Sequence, residues 1–127
     1  LALDIRKGSL TYGKMIGYEM SASPINKKND ECIWVPPGFA HGFLFLKPSR
    51  IEYICSGEYN PECEAVISPF AKDIDWSMCN KKIKEEFDKL VLNGMLVTEK
   101  DKNGLSLKEW HENDKSKNFL YYNLKNG

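Results

Sequence analysis

The residues best suited to chemistry in this sequence of 127 residues surround one turn in its first half. His41, one of only two histidines, follows Pro36, Pro37 and Gly38 and lies between two apolar runs. Prolines and a glycine in such a place predict a tight, stiff turn that aims the histidine from a fixed backbone position. A histidine can hold or accept a proton near neutral pH, but beside apolar residues it is also compatible with a packed rim position. This pattern leaves both roles open for His41.

Three further candidates follow His41 along the chain. Tyr53 lies in a run of strong β-formers, and Tyr59 and Glu64 lie in the polar loop after it. On neighbouring strands or at their ends, these side chains would converge with His41 in the mouth of a barrel. A tyrosine there can give a proton to a carbanion, which makes acid–base chemistry the best fit. Each also has a simpler interpretation: a core aromatic for Tyr53, and a solvated loop for the other two.

Composition and motifs exclude several other classes of function. Eighteen basic residues balance eighteen acidic ones, so no net charge favours nucleic acid or an anionic membrane as a partner. No apolar run approaches the length of a bilayer. His41 and the distant His111 do not make a metal site without further ligands, and no nucleophile elbow or phosphate-binding glycine loop is present. The cysteines form no C-x-x-C pair, which predicts free thiols in a reducing cytosol: Cys32, Cys55, Cys63 and Cys79.

Hydrophobic periodicity predicts two kinds of structure within one domain. Residues 1–76 contain short apolar or alternating runs separated by Gly and Pro turns, which is typical of an antiparallel sandwich or barrel. The expected strands are 1–6, 14–20, 32–35, 43–46, 51–55 and 65–68. Residues 77–127 predict a helical and irregular region of the same domain, with a helix over 80–93 that begins after Ser77 or Asn80 and stops at Asn93-Gly94.

Four stretches outside these elements have simple expectations. Residues 21–31 are polar and predict an exposed connection, and residues 97–104 predict a charged loop. Residues 105–111 predict one or two further helical turns. The tail 119–122 is apolar enough to dock on the domain or on a second subunit.

Several short segments, taken together, resemble a known family. They are 4–9, 11–13, 34–36, 38–43, Tyr53, the Tyr59-x-Pro61-x-x-Glu64 motif, 74–76 and 99–101, in this order. The pattern is similar to that of the dTDP-4-dehydrorhamnose 3,5-epimerase family and covers residues 1–76 and 96–107. No single segment is specific, but the ordered set is.

The resemblance implies a mainly β fold, a cupin-like antiparallel jelly roll (double-stranded β-helix) with a short C-terminal helical region. It implies a cytoplasmic homodimer that uses no metal or organic cofactor. The implied substrate is a nucleotide-linked 4-keto-6-deoxy sugar of the dTDP-4-dehydro-6-deoxyglucose type, epimerised at C3 and C5 in rhamnose-type deoxysugar biosynthesis. The keto group acidifies the neighbouring C–H bonds, so a base can form an enolate and an acid can return a proton to the opposite face.

The resemblance also assigns roles to particular residues. Tyr53 corresponds to the proton donor, which makes it the expected catalytic residue. Five residues are expected to contact the substrate or line its pocket: His41, Tyr59, Glu64, Lys100 and Asp101. Among them, Asp101 corresponds to a carboxylate that supports a basic histidine.

The sequence departs from the family pattern in three ways. The family's basic histidine belongs to a Gly-Leu-His-x-Gln-like segment upstream of the strand with which this sequence begins, and the sequence contains no such segment. Pro37 replaces an acidic residue and Ile54 replaces a lysine, and residues 21–31 and 80–93 are longer than the usual connections. We therefore expect the C-terminal portion of a longer epimerase. Alternatives are a sugar 3,4-ketoisomerase or mono-epimerase on the same scaffold, or a non-catalytic remnant that binds a nucleotide sugar.

Overall fold

A three-stranded antiparallel sheet organises the N-terminal half of the chain. The computed structural model describes residues 1–21 and 31–124. Strand β1 (Ala2–Asp4) lies in the middle, between β2 (Met15–Ile16) and β3 (Phe39–His41). Leu3 is opposite Met15 on one side and Ala40 on the other. Because side chains alternate along a strand, this register places Leu3 and Met15 together on the buried face.

Helices dominate the second half of the chain. They are α1 (Lys81–Leu92), α2 (Glu99–Lys102), α3 (Leu107–Glu112) and α4 (Tyr121–Leu124), with two 3-10 helices, Pro61–Cys63 and Asp114–Asn118. The Asn80 side chain accepts a hydrogen bond from the Lys82 backbone N–H and caps α1, and Gly94 adopts a φ of 72° just beyond its end. The predicted helix over 80–93 and the predicted helical turns in 105–111 are therefore confirmed.

The core forms where α3 covers the sheet. Leu107 and Trp110 are three residues apart, so both side chains lie on one face of α3, and both are buried. They pack with Leu3, Ile5, Met15 and Ile74 in one cluster. The Trp110 indole N–H donates to the Ile5 carbonyl over 3.2 Å, which satisfies the polar atom of a side chain that is 1% exposed.

The C-terminal tail packs on the N-terminal segment of the same chain. The Phe119 ring meets Trp110 edge-on with centroids 5.1 Å apart. The Lys7 N–H donates to the Phe119 carbonyl over 2.7 Å, and the Tyr121 N–H donates to the Lys7 carbonyl over 2.9 Å. These two backbone hydrogen bonds add a short strand-like pairing beside β1, so the tail docks on the domain itself.

The prediction of an antiparallel β fold with a helical C-terminal region is confirmed in part: the described residues form an antiparallel sheet and helices, but their strands are fewer and shorter than predicted. The predicted strands 1–6 and 14–20 are shortened to β1 and β2. Predicted strand 65–68 keeps only one β-bridge, between Ile67 and Leu105. Three predicted strands do not form: 32–35, 43–46 and 51–55. Helix α1 is longer than the three strands together, and α2 lies within the expected loop 97–104. Apolar side chains in the unpaired segments are exposed, among them Trp34 at 74% and Ile54 at 97%. β-propensity alone does not make a strand, because the ladder also needs a neighbouring backbone.

Two remaining expectations concern the polar connection and membranes. Residues 22–30 of the expected connection 21–31 lie outside the described residues. Across residues 1–21 and 31–124, no helix has the length and apolar character needed to cross a bilayer.

Candidate functional site

Three of the predicted site residues meet around the Glu64 carboxylate. The Lys100 ammonium lies 2.5 Å from Glu64 Oε1, and the Tyr59 hydroxyl donates to Glu64 Oε2 over 3.0 Å. The hydrogen bond from Lys100, followed by that from Tyr59, lowers the pKa of the Glu64 carboxyl. The same contacts raise the pKa of Lys100 and of Tyr59. Near neutral pH the cluster therefore holds a carboxylate, an ammonium and a neutral phenol.

Glu64 and Lys100 line an open cleft with a volume of about 290 Å³. Its walls come from three parts of the chain, and its lining residues are Glu64, Ala65, Val66, Lys100, Asn103, Gly104, Leu105, Asn113 and Lys115. Lys115 also reaches Glu64, because its ammonium donates to the Glu64 backbone carbonyl over 2.7 Å. Donors and acceptors thus surround a concave surface, which suits a polar small molecule.

Backbone pairing brings these distant parts of the chain together. The Leu105 N–H donates to the Val66 carbonyl over 2.8 Å, and the Ser68 N–H donates to the Leu105 carbonyl over 2.9 Å. Gly104 allows this approach, since a Cβ there would lie 2.6 Å from the Ser68 nitrogen. The pairing places α2, which carries Lys100, beside the segment that begins at Glu64.

On two sides of the cleft, a capping side chain fixes the start of the short helix that positions a cleft residue. Asn60 accepts a hydrogen bond from the Glu62 N–H and begins the 3-10 helix Pro61–Cys63, directly before Glu64. Thr98 caps α2 by accepting from the Asp101 N–H over 3.1 Å, and its hydroxyl donates to the Asp101 carboxylate over 2.7 Å. Asp101 therefore serves the helix cap, and neither histidine of the chain contacts it in the described part.

The other predicted residues lie apart from this cluster. His41 ends β3, is exposed, and has its ring edge-on to Phe43 at a centroid distance of 6.3 Å. Tyr53 is 75% exposed within segment 45–63, where every residue is exposed. Among residues 1–21 and 31–124, no hydrogen bond, ion pair or ring contact joins Tyr53 to the Glu64 cluster. The structure thus brings together Tyr59, Glu64 and Lys100, and leaves His41 and Tyr53 separate.

Sequence reasoning missed the most buried ionic group, Asp4. Its side chain is 1% exposed and receives charge-assisted hydrogen bonds from Arg6 over 2.9 and 2.8 Å. The Ser9 and Thr11 hydroxyls each donate to it over 2.6 Å. Burial alone would raise the pKa of Asp4, but the Arg6, Ser9 and Thr11 hydrogen bonds outweigh it and lower the pKa from 3.8 to about 2. An acidic residue between two apolar neighbours in a strand, with arginine two residues later, is the signal that indicates such a pair.

The Arg6 side chain also lies against two aromatic rings. Its guanidinium carbon lies 4.3 Å from the centroid of Phe39 and 5.1 Å from that of Tyr121. Gly38 adopts a φ of 92°, and a Cβ there would collide with the Arg6 side chain. No buried polar side-chain atom of the described residues lacks a hydrogen-bond partner, and the arrangement joins β1, β3 and the tail, so it stabilises the fold rather than forming an open site.

Within the residues that the structure describes, no three His, Cys, Asp or Glu side chains are grouped so that they could hold an ion. The polar groups that meet at Glu64 are its carboxylate, the ammonium groups of Lys100 and Lys115, and the Tyr59 phenol. Such a set is chemically suited to hydrogen bonding with a polar, hydroxyl-bearing small molecule.

Comparison with known proteins identifies the family. The chain belongs to the dTDP-4-dehydrorhamnose 3,5-epimerase family, whose family model matches residues 1–109. The recognition made from the ordered motifs is therefore confirmed. The match includes Glu64 and Lys100 and stops before Lys115.

Individual relatives carry the same description. An enzyme named dTDP-4-dehydrorhamnose 3,5-epimerase from Methanothermobacter thermautotrophicus is 36% identical over 112 residues, covering 86% of this chain and 52% of the relative. Those of the same name from Neisseria gonorrhoeae and Escherichia coli are 43% and 38% identical over 68 residues, covering 53% of this chain and 19% and 34% of the relatives. The chain spans about half, or less, of the length of these relatives. No solved structure matches it.

Proposed function

We propose that this chain carries part of the active site of an enzyme that epimerises a nucleotide-linked 4-keto-6-deoxy sugar at C3 and C5. The substrate is of the dTDP-4-dehydro-6-deoxyglucose type, and the reaction belongs to rhamnose-type deoxysugar biosynthesis. The observation that carries the proposal is the family match over residues 1–109. The contacts that Tyr59 and Lys100 make with Glu64, at a cleft lined by Glu64 and Lys100, support it.

Epimerisation needs one group to remove a proton and another to return one. The C4 keto group acidifies the neighbouring C–H bonds, so a base can take the proton and leave an enolate. The Tyr53 phenol then donates its proton to the carbon from the opposite face and is reprotonated from solvent. Neither His41 nor His111 is hydrogen-bonded to a carboxylate in the described part of the chain, so Tyr53 is the one group to which we assign a proton transfer.

The Glu64 cleft binds and orients the sugar in this proposal. The Glu64 carboxylate accepts hydrogen bonds from sugar hydroxyls, and Lys100 and Tyr59 donate to oxygen atoms of the substrate. Asp101 follows Lys100 on α2 and supports the cap that holds it. His41 contributes to the pocket from the end of β3, in the complete protein.

A cupin-like jelly roll that assembles as a cytoplasmic homodimer is the architecture that we propose for the complete protein. Family membership supports it. Exposed apolar side chains such as Trp34, Phe45 and Ile54 are consistent with a further sheet layer packed against these segments. Light scattering of the purified complete protein tests the dimer, and a monomeric mass would contradict it.

Proton exchange tests the activity directly. The complete protein is incubated with dTDP-4-dehydro-6-deoxyglucose in heavy water, and the H3 and H5 signals are followed by NMR. Loss of both signals is the expected result. Loss of one indicates a mono-epimerase, and movement of the keto group to C3 indicates a ketoisomerase. Binding without exchange would favour the non-catalytic alternative.

Tyr53→Phe tests the assignment of the proton donor. We expect the variant to lose turnover by about a hundredfold or more while keeping its fold, because only the phenolic hydroxyl is removed. Tyr18→Phe is the matched control, since Tyr18 is also largely exposed and its hydroxyl bonds only Glu31 in the described part. If Tyr53→Phe turns over substrate at the rate of the control, Tyr53 is not the proton donor.

A further inference from the structure

The Lys115 side chain connects the C-terminal region to the Glu64 cleft. Its ammonium donates to the Glu64 backbone carbonyl over 2.7 Å, whereas Lys100 binds the carboxylate of the same residue. Glu64 is thus held twice, at its main chain by one lysine and at its side chain by another. Lys115 lies beyond the residues that the family model matches.

The segment before Glu64 has little else to hold it in the described part of the chain. Residues 45–63 are all exposed, and Glu64 is the first residue after them that is partly buried. Among residues 1–21 and 31–124, the hydrogen bonds of residues 43–63 stay within 43–64. Because exposed segments with few outside contacts sample many conformations, the position of Glu64 depends on the groups that bind it from outside.

Lys115 is well placed to act as such a group because its own helix is anchored by a cap and by buried contacts. Asn113 caps the 3-10 helix Asp114–Asn118 by accepting a hydrogen bond from the Lys115 N–H over 2.9 Å. The next residue, Ser116, is 0% exposed, and its hydroxyl lies 2.6 Å from the Asn113 carbonyl. Phe119, at the end of this helix, packs on the buried Trp110.

We propose that Lys115 is a positioning residue, which ties the main chain of Glu64 to the anchored C-terminal helix and so orients the Glu64 carboxylate toward Lys100, Tyr59 and the substrate. The inference rests on the proposed function, because it assigns Glu64 to the sugar site. Lys115 acts through the Glu64 backbone, so its effect falls on substrate binding rather than on the proton transfer by Tyr53.

Lys115→Met in the complete protein removes the donor and keeps the length of the apolar stem. Loss of a hydrogen bond from a charged donor is expected to raise KM for the nucleotide sugar about tenfold, with kcat nearly unchanged. Lys115→Arg restores a donor and is expected to recover most of the wild-type KM. Lys117→Met is the matched control, because Lys117 belongs to the same 3-10 helix, is 74% exposed and pairs only with Asp114 in the described part.

Hydrogen–deuterium exchange of peptides covering residues 60–66 gives a readout that needs no turnover. Exchange is expected to quicken in Lys115→Met and to stay at the wild-type rate in Lys115→Arg and Lys117→Met, with the same melting temperature in all. Unchanged exchange in Lys115→Met overturns the inference, and so does faster exchange with an unchanged KM. If the wild type shows no epimerisation, the proposed function fails, and the exchange experiment alone decides whether Lys115 holds Glu64.

Discussion

Replacing Asp4 by asparagine is expected to destabilise the protein, by an amount that depends on pH. Asp4 is 1% exposed and is the common acceptor of Arg6, Ser9 and Thr11. Asparagine has nearly the same shape, but it carries no charge and places an N–H₂ group where two or three donors now converge. The variant therefore removes the electrostatic partner of Arg6 without leaving a large cavity.

The pKa shift of Asp4 sets the size of the effect. Its pKa falls from 3.8 to about 2 on folding, because the hydrogen bonds from Arg6, Ser9 and Thr11 outweigh the cost of burial. A lowered carboxyl pKa stabilises the folded state above the unfolded pKa, and this contribution disappears as the pH falls through the folded pKa. The shift corresponds to about 2 kcal/mol at neutral pH, and the unpaired donors of Arg6 raise the expected loss to about 3 kcal/mol.

Urea unfolding of the complete protein, followed by tryptophan fluorescence from pH 7 down to pH 2, measures this effect. The difference in unfolding free energy between wild type and Asp4→Asn is expected to be constant from pH 7 to about pH 4 and to shrink toward pH 2. Asp114→Asn is the control, because Asp114 is 91% exposed and its pair with Lys117 lies at the surface. A stability equal to that of wild type, or a loss independent of pH, would refute the reasoning.

Two further predictions concern the cleft. Gly104→Ala is expected to cost about 1–3 kcal/mol in thermal unfolding, because its Cβ would lie 2.6 Å from the Ser68 nitrogen, whereas Gly57→Ala, with open space around it, leaves the melting temperature unchanged. The Glu64 carboxyl is expected to titrate below its usual value of 4.5 in an NMR experiment, since the Lys100 and Tyr59 hydrogen bonds lower its pKa, and Lys100→Met returns it toward 4.5. A Glu64 titration that Lys100→Met does not move contradicts the pairing.

Local signals were enough to predict the main helix. The capping residue Asn80 and the stop at Asn93-Gly94 lie within a turn of the ends of α1, and the apolar spacing between them defines the face that buries Phe87. All these features act over a few residues, so their effect does not depend on the path of the rest of the chain. The same holds for the capping box of Ser106 and Glu109 at α3.

Strand signals were not enough, because a strand needs a partner. Segments 32–35, 43–46 and 51–55 have the composition of strands, but no neighbouring backbone pairs with them among the described residues. β3 forms instead at Phe39–His41, where the chain leaving the predicted turn lies beside β1. Pairing between distant segments decided which β-prone residues became strands.

The sequence by itself determined the family and the chemical types of the candidate site residues, since an ordered set of motifs is independent of conformation. Only the tertiary structure decided which of them meet. Glu64 contacts Lys100 because Leu105 pairs with Val66, and the backbone tether from Lys115 depends on a helix anchored elsewhere. Contacts between residues so far apart depend on the path of the whole chain, and a pattern of neighbouring residues does not determine that path.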